Sequence, residues 1–348
     1  MASEAFLTTA GFNNQNALKE AIEIGNENSS VFPTSLANAF VEQFSVVAHI
    51  DLSLNGGKNP LGATILDKSG LSASLFVDRA TGDYTLSIRS TEASLGLDGN
   101  SGNILDSGDI RADLEIAQYG YALGQISQLQ AFYESTVLPI VGDAKVDVTG
   151  YSLGGHLATV FTELNPTAVN HTYLFNGAGT GSTSIDGGVR SLLDLYNSVF
   201  NDPTSYFGSD PTLVTNDAVR PQLQLYLANP DATYLSIYDD PRHKLALIAS
   251  ASYTTGAAVA TLQGVRIADP LISDVYGANG LSVTAASGIR HGTAIPVYIE
   301  DQPVISTEDY ASAHSIALLQ DSLALAATLE KLDPNLTIET FNRMLEAG

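Results

Sequence analysis

A serine, a histidine and a carboxylate, suitably placed, turn a poor hydroxyl nucleophile into a reactive one, and this chain carries candidates for all three. The serine stands in Lys145-Val-Asp-Val-Thr-Gly-Tyr-Ser-Leu-Gly-Gly-His-Leu-Ala158, where Gly150 and Gly154 bracket Ser152. Val146 and Val148 alternate with polar residues as a short strand does. Leu157, Val160, Phe161 and Leu164 then recur at helical spacing until Pro166. Strand, Gly-x-Ser-x-Gly, helix describes a turn so sharp that side chains at 150 and 154 would collide with neighbouring backbone. Ser152 is left projecting. At neutral pH its hydroxyl needs a general base, usually histidine, held in place by a carboxylate.

In the α/β-hydrolase arrangement the chain order is serine, acid, histidine. Of the six histidines (49, 156, 171, 243, 291 and 314) only the last three come late enough. His314, in Tyr310-Ala-Ser-Ala-His-Ser-Ile, lies in a loop after the last strand and leads into the final helix, where a base can reach over the turn. His291 precedes a strand and points away, and His171 starts a strand at the wrong end of the sheet. His156, four residues past Ser152, packs or hydrogen-bonds behind the nucleophile. For the acid, Asp274 lies at a strand-like segment between Ser152 and His314. Asp239 and Asp240 end the apolar run from Tyr234, and Asp269 and Asp301 remain further choices. The developing oxyanion requires preorganised donors. One is the backbone N–H of Leu153; the other comes from the loop after the third strand, Arg89-Ser-Thr-Glu92.

The elements that must hold these groups follow from periodicity. Strand patterns cover 45–50, 71–77, 84–89, 146–148, 171–175, 271–276 and 294–299, with Asp78-Arg-Ala-Thr-Gly-Asp83 as a hairpin turn. Helical patterns occur before residue 44, from Asp113 to Val137, after Ser152, and from about His314 to Leu332. Strands alternating with helices predict an α/β fold: a mostly parallel sheet flanked by helices on both faces, within a single domain of residues 1–348. Residues 181–265 interrupt the rhythm and read as an insertion or cap. The uncharged Leu245–Arg266 stretch is too polar for a membrane span. Residues 92–112 form an Asp-rich loop (Asp98, Asp106, Asp109) without the glutamate of a calcium-binding EF-hand. No metal or other cofactor is required for the chemistry; a structural calcium in this loop is conceivable but not indicated.

Composition excludes several classes. A net charge of −23 opposes binding to nucleic acid or anionic lipid. With no cysteine, thiolate catalysis and disulfides are ruled out. The N-terminal segment has neither the basic nor the apolar region of a Sec signal.

Ile88-Arg-Ser-Thr-Glu resembles the Arg-Gly-Thr segment of the class 3 (fungal-type) lipase superfamily, and Asp113-Leu114 follows as it does there. Val148-Thr-Gly-Tyr-Ser-Leu-Gly-Gly-His-Leu-Ala158 is similar to its nucleophile segment, with Tyr151 where histidine is usual. Arg290-His-Gly-Thr-Ala-Ile-Pro-Val-Tyr-Ile299 resembles the His-x-Gly strand after that family's catalytic aspartate, which favours Asp274. Ala313-His-Ser-Ile resembles its catalytic-histidine segment. The resemblance covers roughly 70–180 and 270–330. It implies the α/β-hydrolase fold, a serine carboxylic-ester hydrolase acting on lipid acyl esters, and Thr91 as an oxyanion-hole residue. It also implies transient apolar contact with a lipid surface. Two departures stand out: Ser90 replaces the usual glycine, and the usual short lid is missing, which makes 181–265 the candidate cover. Acidic, cysteine-free bacterial lipases exported by the type I route look similar, which implies a secreted protein. Their Gly-Gly-x-Gly-x-Asp repeat is absent, so the chain reads as a piece of a longer protein or as one exported otherwise, with a cytoplasmic place still open. The rival reading is a catalytically inactive binding module of a larger secreted protein.

Overall fold

In a computed structural model of the protein, the described residues are 14–24, 32–52, 57–58, 64–65, 69–90, 108–234, 236–256, 266–267, 272, 274–278, 288–299 and 316–347. A seven-stranded sheet is assembled in chain order from β1 (Phe44–Asp51), β2 (Ser72–Asp78), β3 (Tyr84–Ile88), β4 (Val146–Tyr151), β5 (Val169–Phe175), β6 (Asp274–Ala278) and β7 (Ala294–Val297). β1, β2 and β3 pair antiparallel, and β3 through β7 are parallel. The expected turn at 78–83 joins β2 to β3. The Asp78 carboxylate accepts from the N–H groups of Ala80 (2.7 Å) and Thr81 (3.2 Å), and Gly82 takes the left-handed conformation at φ +81°.

Strand alternation explains which face is covered. Leu75, Leu86, Ile88, Val146, Val148 and Leu174 are all buried on one face. Against it lie α3 (Gly108–Tyr119), α4 (Leu123–Phe132) and α5 (Leu153–Leu164). α4 continues through a π turn, Tyr133–Val137, into a last turn, Leu138–Val141. Leu157 and Phe161 on α5 are 1% and 2% exposed, each burial contributing on the order of 2 kcal/mol. The opposite face carries polar and aromatic residues, among them Ser74, Thr149 and Tyr173. At one edge α1 (Gln15–Ile24) and α2 (Thr34–Gln43) pack near Phe76.

The single helix expected over 113–137 is broken at Gly120, which adopts φ +84°. The hydrophobic spacing runs unbroken through the break, because the cause is non-local. Gly120 meets the chain at Gly181, whose N–H donates to the Gly120 carbonyl (2.9 Å). A Cβ on Gly120 would sit 2.4 Å from the Gly181 Cα.

The insertion is helical: α6 (Gly188–Asn201), α7 (Pro203–Phe207), α8 (Val219–Ala228) and α9 (Pro241–Ala251). An antiparallel pair, Ser182–Thr255 and Thr183–Thr254, closes it at its root. α6 and α9 pack outside α3, α4 and α5 as a second helical layer continuous with the main core. The apolar run from Tyr234 becomes a 3-10 turn, Ile237–Asp239, rather than a strand, because Ser236 accepts from the Tyr238 N–H and starts it. Finally, α10 (Ile316–Leu332) and α11 (Ile338–Ala347) close the chain beside β7. Among the described residues no helix is long and apolar enough to cross a membrane.

Candidate active site

β4 delivers Ser152 at its carboxyl end, and α5 starts at the next residue. The space between strand and helix is only wide enough for backbone. A Cβ on Gly150 would lie 2.1 Å from the Gly154 carbonyl oxygen, and one on Gly154 would lie 2.3 Å from that of Ile88. Ser152 itself takes φ +53°, ψ −119°, a conformation that L-residues avoid. Its surroundings overdetermine it. The Ser152 N–H donates to the Phe175 carbonyl (3.1 Å), and its own carbonyl accepts from Gly155 (3.0 Å), His156 (3.2 Å) and Ala178 (3.0 Å). Ser152 occupies the N-cap position of α5, where serine normally caps through its hydroxyl. Here the side chain makes no cap bond. The next N–H, of Leu153, opens the helix and has no carbonyl four residues back to accept it, at the end where the helix dipole favours negative charge.

The end of β3 lies directly on this turn, since Gly154 faces the carbonyls of both Ile88 and Arg89. Arg89 donates to the Gly70 carbonyl (3.1 Å) and approaches Asp51 (4.0 Å). Thr91 lies outside the described residues. So does His314, two positions before the start of α10.

Five histidines are engaged elsewhere. His156 is fully buried, bonded at Nδ1 to the Gly179 carbonyl (3.0 Å) and accepting at Nε2 from the Ala122 N–H (3.3 Å). Burial drives its pKa down to about 4, so it is a neutral strut behind the turn. His291 pairs with Glu163 (2.9 Å), which is eleven residues past Ser152 on α5 and so about 16 Å along the helix. His243 is held between Glu115 and Tyr196. His49 bonds the Ser74 hydroxyl (2.8 Å), with its pKa lowered to about 4 by burial. The His171 ring packs tilted against that of Tyr173, centroids 4.5 Å apart, in the first half of β5, the end opposite Ser152.

The acids divide similarly. Asp239 pairs with Arg111 (2.7 Å), and Asp240 caps α9 while its carboxylate binds Arg242 (2.5 Å). Both are spent on structure. Asp274 opens β6 in register with Tyr173, whereas Tyr151 is in register with Phe175 and hence with Tyr276. Asp274 therefore stands three positions, or about 10 Å, short of the Ser152 level along the sheet. Asp269 and Asp301 lie outside the described residues.

Sequence reasoning passed over Asn176. It is wholly buried at φ +46° directly after β5, and its turn brings the Ala178 N–H to the Ser152 carbonyl. The Asn-Gly pair after an apolar strand was the available signal. An open cavity of about 410 Å³ lies between Tyr173 and Phe175 of β5 and Leu323, Ala326 and Phe341 of α10 and α11.

No family model and no curated protein matches the chain. Among solved structures it is similar to an alpha/beta hydrolase fold protein from Chitinophaga pinensis, at 12% identity over 62% of this chain and 74% of that one, TM-score 0.23. It is also similar to 2-hydroxy-6-oxo-6-phenylhexa-2,4-dienoate hydrolase from Rhodococcus sp. strain RHA1 (11%, 66% and 88%, TM-score 0.25). A third is a hydrolase from Pseudomonas aeruginosa PA01 (17%, 67% and 89%, TM-score 0.22). At such TM-scores these likenesses carry no weight. The parallel β3–β7 sheet, the helices against it and the strained serine between β4 and α5 are themselves the marks of the α/β-hydrolase fold, and that is the fold of this chain.

Proposed function

We propose that the chain is a serine carboxylic-ester hydrolase working through an acyl-enzyme, with Ser152 as nucleophile. One observation carries the reading. A non-glycine residue is held at positive φ between two glycines that admit no larger side chain, and its hydroxyl does not cap the helix it precedes.

His314 is the base in this reading. Elimination supports it: His49, His156, His243 and His291 have partners elsewhere, and His171 lies at the far end of β5. Ser152 attacks the ester carbonyl as His314 takes the hydroxyl proton. The tetrahedral oxyanion is met by the Leu153 N–H and by Thr91, then collapses and expels the alcohol, which leaves with that proton. Water, deprotonated by His314, attacks the acyl-serine; the proton returns to Ser152 and the carboxylic acid departs. The orienting acid in this reading is Asp274, favoured by the family resemblance, with Asp301, four residues past β7 in sequence, as the alternative. Lipid acyl esters, of the triacylglycerol lipase or phospholipase A type, are the proposed substrate class on the strength of residues 88–92 and 148–158.

The test is Ser152→Ala with p-nitrophenyl butyrate and a fluorophosphonate probe. We expect the rate to fall by about 10³-fold or more and labelling to vanish. A variant as fast as the parent would sink the assignment, and a parent that never takes the probe would favour the inactive binding module.

A further inference from the structure

The insertion is built as a fixed part of the body. At its root the Tyr121 hydroxyl donates to the Gly181 carbonyl (3.0 Å), and the Ser182 and Thr255 hydroxyls meet at 2.7 Å. On its flank Ser127 of α4 bonds Asn197 of α6 (2.6 Å), and Arg190 reaches the Leu164 carbonyl at the end of α5. At its far end Arg111 of α3 pairs with Asp239 and lies over the Tyr238 ring. Between these joints runs a buried polar chain across three helices. The His243 Nε2 is 2.6 Å from Glu115 of α3, and its Nδ1 is 2.6 Å from the Tyr196 hydroxyl of α6. Glu115, His243 and Tyr196 are 5%, 1% and 1% exposed. The directions agree: tyrosine donates to the imidazole, and the imidazole donates to the carboxylate.

Swinging this layer away from α3 would break both hydrogen bonds of the chain and open the apolar seam between the layers to water. A hinged cover shows the opposite pattern, with few buried contacts to the body and polar ones that water can replace. We infer that residues 182–255 are a permanently latched second layer, locked to α3 by the Glu115–His243–Tyr196 chain, and that turnover proceeds without their movement. The turnover clause rests on Ser152 being the nucleophile; the latch does not.

The chain contains no cysteine, so a Ser127→Cys/Asn197→Cys double variant has a unique pair of thiols. Bridging them with a short bis-methanethiosulfonate reagent ties α6 to α4. Hydrolysis of p-nitrophenyl butyrate should agree between bridged and unbridged forms within about twofold. A loss of tenfold or so that thiol reductant restores overturns the inference. The latch is read without turnover, by hydrogen exchange on the full chain. In the parent, α6 and α9 should be as protected as α5; fast exchange there defeats the proposal. Glu115→Gln should speed exchange across α6 and α9 by about tenfold while α5 is unchanged, and no selective change would show that Glu115 latches nothing. Failure of the nucleophile assignment would appear separately, as a parent that hydrolyses no ester yet shows the protected layer.

Discussion

The turn that carries Ser152 and the root of the insertion use the same contact for different ends. In both, backbone is pressed on backbone at glycine. A Cβ would lie 2.1 Å from the nearest atom at Gly150, 2.3 Å at Gly154, 2.4 Å at Gly120 and 2.1 Å at Gly181. At the root, the crowded residue and the left-handed residue are one and the same, since Gly120 has φ +84° and bears it without strain. At the serine turn the duties are split. Gly150 and Gly154 supply the room, and Ser152 carries the positive φ, costing about 1–3 kcal/mol. Close contact at glycine makes a rigid joint. Chemistry requires in addition that a residue with a side chain be held where only glycine is comfortable.

The largest effect expected is from filling these contacts. Gly154→Ala puts a methyl into the carbonyls of Ile88 and Arg89, costing about 3 kcal/mol or more and displacing Ser152. Gly120→Ala should lose similar stability by urea unfolding, while its folded fraction still takes a fluorophosphonate probe. If both variants lose labelling equally, the two joints are not separable as argued.

His156 links the two joints, because its ring spans from the Ala122 N–H, beside Gly120, to the Gly179 carbonyl, two residues before Gly181. Its pKa near 4 in the fold lies below the ordinary value of 6.5, so between those values the unfolded chain binds a proton that the folded one refuses. Stability from this residue is therefore intact above about pH 6.5 and declines as pH falls, by about 2 kcal/mol at pH 5. Urea unfolding of the parent and of His156→Asn should show their gap narrowing by that amount from pH 7 to pH 5. A constant gap would mean that the imidazole is not kept neutral by burial.

Much of the fold was legible because it is written in local patterns. The period-two alternation of 146–148, the helical spacing after Ser152 and the Asp-x-x-x-Gly turn at 78–83 each state their own conformation. What escaped is non-local. Glu115 and His243 are 128 positions apart, and nothing near either residue announces the other. The break at Gly120 is imposed by Gly181, so the apolar spacing through Leu114, Ala117 and Tyr121 gave no warning. The turn at Ser152 could be read because glycine spacing encodes it. The level of Asp274 could not, because it depends on strand register: Asp274 shares its sheet with Ser152 yet opens its strand three positions below that level.

The smallest expected effect bears most directly on the contrast between the joints. If Ser152 carries strain, Ser152→Gly should relieve it. Against the relief stands the extra backbone freedom that glycine brings to the unfolded chain, roughly 0.5–1 kcal/mol, leaving a net gain of about 1 kcal/mol while ester hydrolysis disappears. The readout is a higher urea midpoint at unchanged slope. Asn176→Gly is the control. Asn176 also has positive φ, at +46°, but asparagine tolerates that region, so its gain should be smaller or absent. Equal midpoints for parent and Ser152→Gly would show a serine at ease in its turn. The positive φ would then be a property of the joint and not a mark of chemistry.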